Sequence, residues 1–273
     1  MVATNIRKEA RESLKGKWGK AVAMLFIESI IIGIITGIEG ALKDNSITKS
    51  IISIIEIIVQ VPLAFGLVYA FIKLKRNEEV NYFDFVKIGF ENFSRSWAIC
   101  FRTLIKMIIP IICIIVALVL VGIMFAVGGV TGIAMGAGQQ ALGIILLAII
   151  IYVAAIAYAV VIGLKYSLTI LIAYDNPDMS AKDIVEKSAE LMEGHRGDLF
   201  VLVLSFIGWI VLCYIPLALA SATVLVAPAV SILLGICTVI AMLCLGAYVQ
   251  TSKVCFYDDV LQLKSEKNTE VQE

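Results

Sequence analysis

The chain has 273 residues, 60% of them hydrophobic and 16% charged, with 22 basic and 22 acidic side chains and a mean hydropathy of +0.98. Soluble domains carry about 25% charged residues, so a water-soluble globule is excluded, and zero net charge gives no basic footprint for nucleic acid. Cys100, Cys113, Cys213, Cys237, Cys244 and Cys255 form no C-x-x-C pair; this argues against a disulfide framework or metal knuckle and for small apolar side chains in helices.

Met1 to Lys20 carries six Lys or Arg, and the apolar stretch after it is too long for a signal-peptide core and lacks a small-residue cleavage site. It reads as a retained first crossing. Windows of about 20 apolar residues then predict crossings near 19 to 39, 51 to 73, 107 to 130, 141 to 164, 199 to 221 and 229 to 251. The third and fourth fall in the run from Met107 to Leu164, 58 residues without a charged side chain or histidine, joined by the glycine-rich stretch Thr131 to Gln140. Twenty Lys and Arg fall in segments assigned to one side, against Lys43 and Lys49 on the other. The positive-inside rule therefore puts both termini in the cytoplasm.

The third and fourth crossings extend as apolar-rich sequence from Trp97 and to Tyr174. Each such stretch would be roughly 51 Å long as a helix, against a hydrocarbon core of about 30 Å. Lys106 and Lys165 come out at one depth, about 36 Å from the outer turn, and Arg102 lies one turn from Lys106. This basic collar reads either as snorkelling anchors that set helix depth or as a pocket for an anionic lipid headgroup or other ligand.

Each odd-numbered crossing is preceded by an amphipathic stretch and a glycine or aromatic break, one plan used three times. Leu14-Lys15-Gly16-Lys17-Trp18-Gly19 and Met192-Glu193-Gly194-His195-Arg196-Gly197 carry Gly-x-x-Gly at one phase. The middle copy is looser, with Phe83, Phe85, Val86 and Phe90 ahead of Phe93, Arg95 and Trp97. In the third copy Ser180 and Asp183 make a capping box, and Gly194 terminates the helix in the left-handed conformation. Ala181, Ile184, Val185, Ser188 and Met192 share one side, so this helix is expected along the inner interface.

Glu28 and Glu56 are the acidic residues well inside spans, a costly position that defaults to a functional hypothesis. Glu28 is roughly 14 Å deep; Glu56 and Gln60 share a face at i, i+4, and Gln60 lies near the depth of Glu28. A polar cluster between the first two helices is expected, either as a protonatable or cation-binding site or as a protonated carboxyl bonded across the pair. Pro62, Pro110 and Pro216 are expected to kink their helices.

The chain has one histidine, His195, and no HExxH, GxSxG or GxxxxGK[ST] sequence, so no metal, cofactor or catalytic site is expected. The acidic pairs Glu78-Glu79 and Asp258-Asp259 read as solvated surface.

At Ser188, Met192, Gly194, Arg196 and Phe200, followed by Leu204-Ser205-Phe206-Ile207-Gly208-Trp209, the chain resembles an uncharacterised bacterial integral-membrane family, domain of unknown function 975. Leu14-Lys15-Gly16-Lys17-Trp18, Phe85-Val86-Lys87-Ile88-Gly89-Phe90 and Phe256-Tyr257 agree with it. Where that family carries Pro-Tyr ahead of its last helix, this chain has Pro228-Ala229. The resemblance implies six crossings and no established activity.

The expectation is an all-α, polytopic membrane protein of the bacterial inner membrane. Six transmembrane helices form three hairpins with cytoplasmic amphipathic interfacial helices, residues 1–258 making one domain and 259–273 a polar tail. It is read as no enzyme, binding or moving a lipid or small amphipathic molecule, with membrane lipids, anionic headgroups among them, as partners. The rivals are a proton- or cation-coupled exporter using Glu28 and Glu56, and a scaffold or immunity-type protein with a membrane protein partner.

Overall fold

The computed structural model describes residues 3–41, 46–135 and 138–270. Among the described residues there are ten helices and no strand: α1 Ala3–Ser13, α2 Trp18–Ala41, α3 Ser46–Lys75, α4 Asp84–Glu91, α5 Phe93–Met135, α6 Gly138–Lys165, α7 Thr169–Asp175, α8 Ala181–Leu191, α9 Arg196–Thr223 and α10 Pro228–Glu270. Lys43, one of the two basic residues expected on the far side, lies outside the described residues.

Helices α2, α3, α5, α6, α9 and α10 are long and apolar enough to cross a membrane. Their most apolar windows are only 6 to 28% buried within the protein, and Ile34, Ile54, Ile109, Ile150, Val211 and Ile232 stand exposed. Water would charge about 25 cal/mol for each Å² of such surface, whereas lipid tails are as apolar as the side chains themselves. The chain is a multi-pass membrane protein whose spans use the bilayer as solvent. Consecutive long helices pack pairwise, α2 on α3, α5 on α6 and α9 on α10, and α10 also touches α1, α2 and α3.

The dense core lies at the end of the bundle that gathers α1, α4, α7 and α8. Ile6, Leu14, Phe71, Phe85, Ile172 and Met192 are buried there. Two copies of the repeated plan coincide in backbone. Gly16 has φ +75° and Gly194 φ +84°, each two residues ahead of the first residue of a spanning helix, Trp18 and Arg196. A left-handed residue there turns the chain from the short helix into the long one at no steric cost only if it is glycine. The middle copy ends α4 differently, with Asn92 at φ −100° donating from Nδ2 to the Ile88 carbonyl. The capping box also forms: Ser180 Oγ accepts from the Asp183 amide at 3.2 Å and donates to its carboxylate at 2.7 Å. The apolar side of α8 faces the protein, with Ile184, Val185 and Ser188 buried.

Three boundaries differ from the sequence expectation. The fourth crossing does not run unbroken to Tyr174. The amides of Tyr166 and Ser167 bond three residues back, to Gly163 and Leu164, and Ser167 Oγ bonds the Leu164 carbonyl at 2.8 Å. This local alternative to the helical ladder ends α6 at Lys165, and α7 restarts at Thr169 beside the buried Leu168. The turn expected over Thr131 to Gln140 is shorter, because α5 continues to Met135 and α6 starts at Gly138; residues 136 and 137 lie outside the described residues. Helix α10 runs far past 251, to Glu270, and buries Val254, Cys255, Phe256, Tyr257 and Val260. The hydropathy window missed this extension because its polar face ends the apolar run while its other face is core. Pro62, Pro110 and Pro216 lie inside α3, α5 and α9.

An ion-pair cluster locks the core. Lys75 Nζ lies 2.5 Å from Asp258 and 3.1 Å from Glu9. Arg76 grips Asp175 through both nitrogens, at 2.6 and 3.1 Å, and reaches Asp258 at 3.4 Å. The Tyr257 hydroxyl donates to Asp175 at 3.0 Å, and the Tyr174 hydroxyl to Glu78 at 3.2 Å. Asp258 and Glu78 are therefore tied into the fold, which corrects the reading of their pairs as plain solvated surface. The Asp175 carboxylate, hydrogen-bonded to the Arg76 guanidinium, pushes the pKa of Arg76 up from its ordinary value, so this charge is permanent. Lys17 closes the end of α3, donating at 2.6 Å to both the Leu74 carbonyl and Asn77 Oδ1. Asn77 itself has φ +61°.

Candidate functional site

The residues singled out in the sequence fall into separate places. Glu28 is half-buried and lines a cavity between α2 and α3 with Ser29, Thr36 and Gln60. Glu56 stands apart from that pair, accepting a 3.4 Å hydrogen bond from Thr36 Oγ1. Further along the same two helices Ser53 donates to Glu39 at 2.9 Å. The expected cluster thus resolves into a polar row along α2 and α3, with Glu28 and Gln60 together and Glu56 linked through Thr36.

Arg102 and Lys106 are exposed on α5. A Cβ on Gly163 of α6 would lie 4.0 Å from Met107 Cε, which puts Met107 of α5 beside the last turn of α6. Lys165 is half-buried, with its ammonium 5.7 Å from the centre of the Tyr166 ring. Buried Ser188 donates from Oγ to the Lys165 carbonyl at 3.2 Å, satisfying a backbone acceptor where α6 ends. In the same motif Met192 is buried, Phe200 and Trp209 are exposed, Gly208 has open space around its Cα, and Arg196 Nε is buried without a hydrogen-bond partner.

A further cavity, of about 500 Å³, lies between α1, α2, α9 and α10. Helical spacing constructs it. On α1, Ile6 and Ala10 are buried in the core, which turns Arg7 and Arg11, one residue on from each and four apart, toward α9 and α10. Trp209, Leu212, Cys213 and Pro216 present one face of α9, and Ala241, Cys244, Leu245 and Tyr248 one face of α10; both follow the i, i+3, i+4, i+7 rule. Trp18 closes the side at the start of α2. The two tryptophans come from the first and third copies of the repeat.

Tyr248 fixes the polar end. Its hydroxyl donates to the Arg7 backbone carbonyl at 3.2 Å. Its ring meets Phe206 edge-on at 5.1 Å and Trp18 at 6.5 Å. Arg7 Nε is buried without a hydrogen-bond partner. The Arg7 and Arg11 side chains line the cavity, and an anion bound there would accept charge-assisted hydrogen bonds from them. The cavity thus has two arginine side chains at one end, an aromatic girdle and a shaft of apolar side chains, and its volume lies in the range of small-molecule pockets.

Sequence reasoning missed Arg7, Arg11 and Tyr248 because it counted the first two only as orienting charges. The available signal was their i, i+4 spacing on an amphipathic helix directly ahead of a Trp-led crossing.

No curated protein and no solved structure matches the chain. A family model described as "Protein of unknown function (DUF975)" matches residues 1–264, taking in both arginines, the repeated Gly-x-x-Gly breaks and the Phe256-Tyr257 core pair. The chain belongs to the DUF975 family of proteins of unknown function.

Proposed function

We propose that this membrane protein binds an anionic amphiphile, a lipid or lipid-like molecule, in the cavity between α1, α2, α9 and α10, and that it acts by binding or moving that molecule rather than by catalysis. The observation that carries the reading is the pair Arg7 and Arg11 at one end of a cavity otherwise lined mostly by apolar and aromatic side chains. Arg7 and Arg11 take the head group, Trp18, Trp209 and Tyr248 sit at the level where head meets chain, and Leu212, Pro216 and Leu245 accept the tail. In this reading both termini and the core face the cytoplasm at the bacterial inner membrane, supported by the twenty-to-two distribution of Lys and Arg. Anionic lipids are then within reach of α1.

Native mass spectrometry tests it. Wild type from mild detergent is expected to retain one anionic lipid or amphiphile, and an Arg7→Gln, Arg11→Gln double variant to retain roughly 10- to 100-fold less, as two charge-assisted contacts are lost. The Tyr248 bond goes to the backbone of Arg7, so the substitution leaves it in place. Equal retention by both proteins would refute the assignment.

A second reading is proton- or cation-coupled export, favoured by the row Glu39, Ser53, Glu56, Thr36, Gln60 and Glu28 along α2 and α3. Under it, Glu28→Gln abolishes pH-dependent flux in reconstituted vesicles; unchanged flux removes Glu28 from that role.

A further inference from the structure

A second pair of cavities surrounds Lys253, on the part of α10 beyond the predicted last crossing. One, of about 290 Å³, is walled by α2, α3, α7 and α10 and is lined by Glu28, Ser167, Gln250 and Lys253 as its polar groups. The other, of about 280 Å³, lies between α6 and α9 and is apolar apart from Ser167 and Lys253, its walls including Val160, Leu164 and Val203. Lys253 and Ser167 line both, so the two cavities adjoin at these residues.

Among the described residues neither Glu28 nor Lys253 has a hydrogen bond or ion pair, although they line one cavity. Lys253 is exposed and Glu28 half-buried, and both line this partly open cavity without pairing with each other. Two groups of opposite charge type that line one cavity without pairing leave room for a ligand with an anion and a cation a few bonds apart, which would give each a counter-charge.

We propose that the Glu28–Lys253 cavity is a binding site for a zwitterion, its carboxylate or phosphate on Lys253 and its ammonium on Glu28. A phosphatidylethanolamine headgroup has this chemistry, with an acyl chain to occupy the apolar α6–α9 cavity; a free α-amino acid has it without a chain. The site shares no residue with the Arg7 and Arg11 cavity, and the inference does not rest on that one.

The test uses the full-length protein in nanodiscs of equal phosphatidylethanolamine and phosphatidylglycerol, with the lipids that stay bound after detergent extraction identified by mass. Wild type is expected to hold phosphatidylethanolamine preferentially. Glu28→Gln should bring the ratio of the two lipids close to that of the bulk, and Lys253→Met should lower retention roughly 10- to 100-fold. Lys253→Arg keeps the cation and should keep the preference, so it carries the test if Lys253→Met does not fold. A parallel binding assay with radiolabelled L-alanine and L-leucine separates the sources: saturable amino-acid binding lost in both variants assigns a free zwitterion, and lipid preference lost in both assigns the headgroup. An Arg7→Gln, Arg11→Gln control should lower retained phosphatidylglycerol while leaving the amount of retained phosphatidylethanolamine and any amino-acid binding intact. Neither lipid preference nor amino-acid binding in wild type, or either one unchanged in Glu28→Gln and Lys253→Met, overturns the proposal.

Discussion

Gly66→Ala and Gly89→Ala are each expected to destabilise the protein by about 3 kcal/mol or more, above the usual 1–3 kcal/mol of overpacking, and to lower the yield of monodisperse protein in detergent. The cause is backbone against backbone. Where α3 crosses α4, a Cβ on Gly66 would fall on the Phe85 carbonyl oxygen and within 2.8 Å of the Gly89 amide nitrogen. A Cβ on Gly89 would fall in turn on the Pro62 carbonyl oxygen. Neither obstacle is a side chain that can rotate away, so the helices must separate, and buried Phe65, Phe71 and Phe85 lose their packing. Gly208→Ala is the control: nothing lies within 4 Å of its Cβ position, and alanine is the better helix former by about 1 kcal/mol. Thermal unfolding followed by size-exclusion fluorescence should show the first two variants collapsing at lower temperature and the third unchanged or raised.

The second large effect is expected at Asp175, which ends α7 and joins α3 to α10. Asp175→Ala removes both contacts to the Arg76 guanidinium and the acceptor of the Tyr257 hydroxyl. Tyr257 is 1% exposed, so its hydroxyl is left buried and unsatisfied. Breaking a fully buried pair costs about 3–5 kcal/mol, but the side chains of Arg76 and Asp175 are 30% and 24% exposed. Screening by solvent brings the expectation down to about 2–3 kcal/mol, a fall on the order of 5 to 10 °C in melting temperature. Tyr257→Phe should cost less alone, and in the double variant the two losses should add to less than their sum, since they share the hydroxyl-to-carboxylate bond. Strict additivity in the double variant would show that Asp175 and Tyr257 do not act on each other.

The spanning helices were legible because their apolar surface must be long and uninterrupted to sit in lipid. The left-handed break at Gly194 and the cap at Ser180 were legible because both act through backbone within a few residues. What escaped were contacts distant in sequence. Phe256 and Tyr257 fall after the last apolar window, and nothing local says that they are core; they are buried because α10 continues as a rod among α1, α3 and α7. The break after Lys165 was hidden because hydropathy continues through Tyr166 and Leu168 while Ser167 redirects the backbone. At the candidate sites, Glu28 was conspicuous as a carboxylate inside a span. Its cavity partner Lys253 was not, because a lysine just past a span resembles any anchoring charge. Arg7 and Arg11 were concealed in the same way among the six basic residues that set orientation.

The most direct measurement for the central claim, an anionic amphiphile seated between Arg7, Arg11 and the apolar faces of α9 and α10, is tryptophan quenching by lipids with brominated chains. Two of the three tryptophans, Trp18 and Trp209, line the cavity, and Trp97→Phe removes the background of the third. In that variant, brominated phosphatidylglycerol is predicted to quench at a lower mole fraction than brominated phosphatidylcholine. Adding Arg7→Gln and Arg11→Gln should abolish the difference. Equal quenching by the two lipids before the arginines are replaced, or a difference that survives their replacement, would contradict the account.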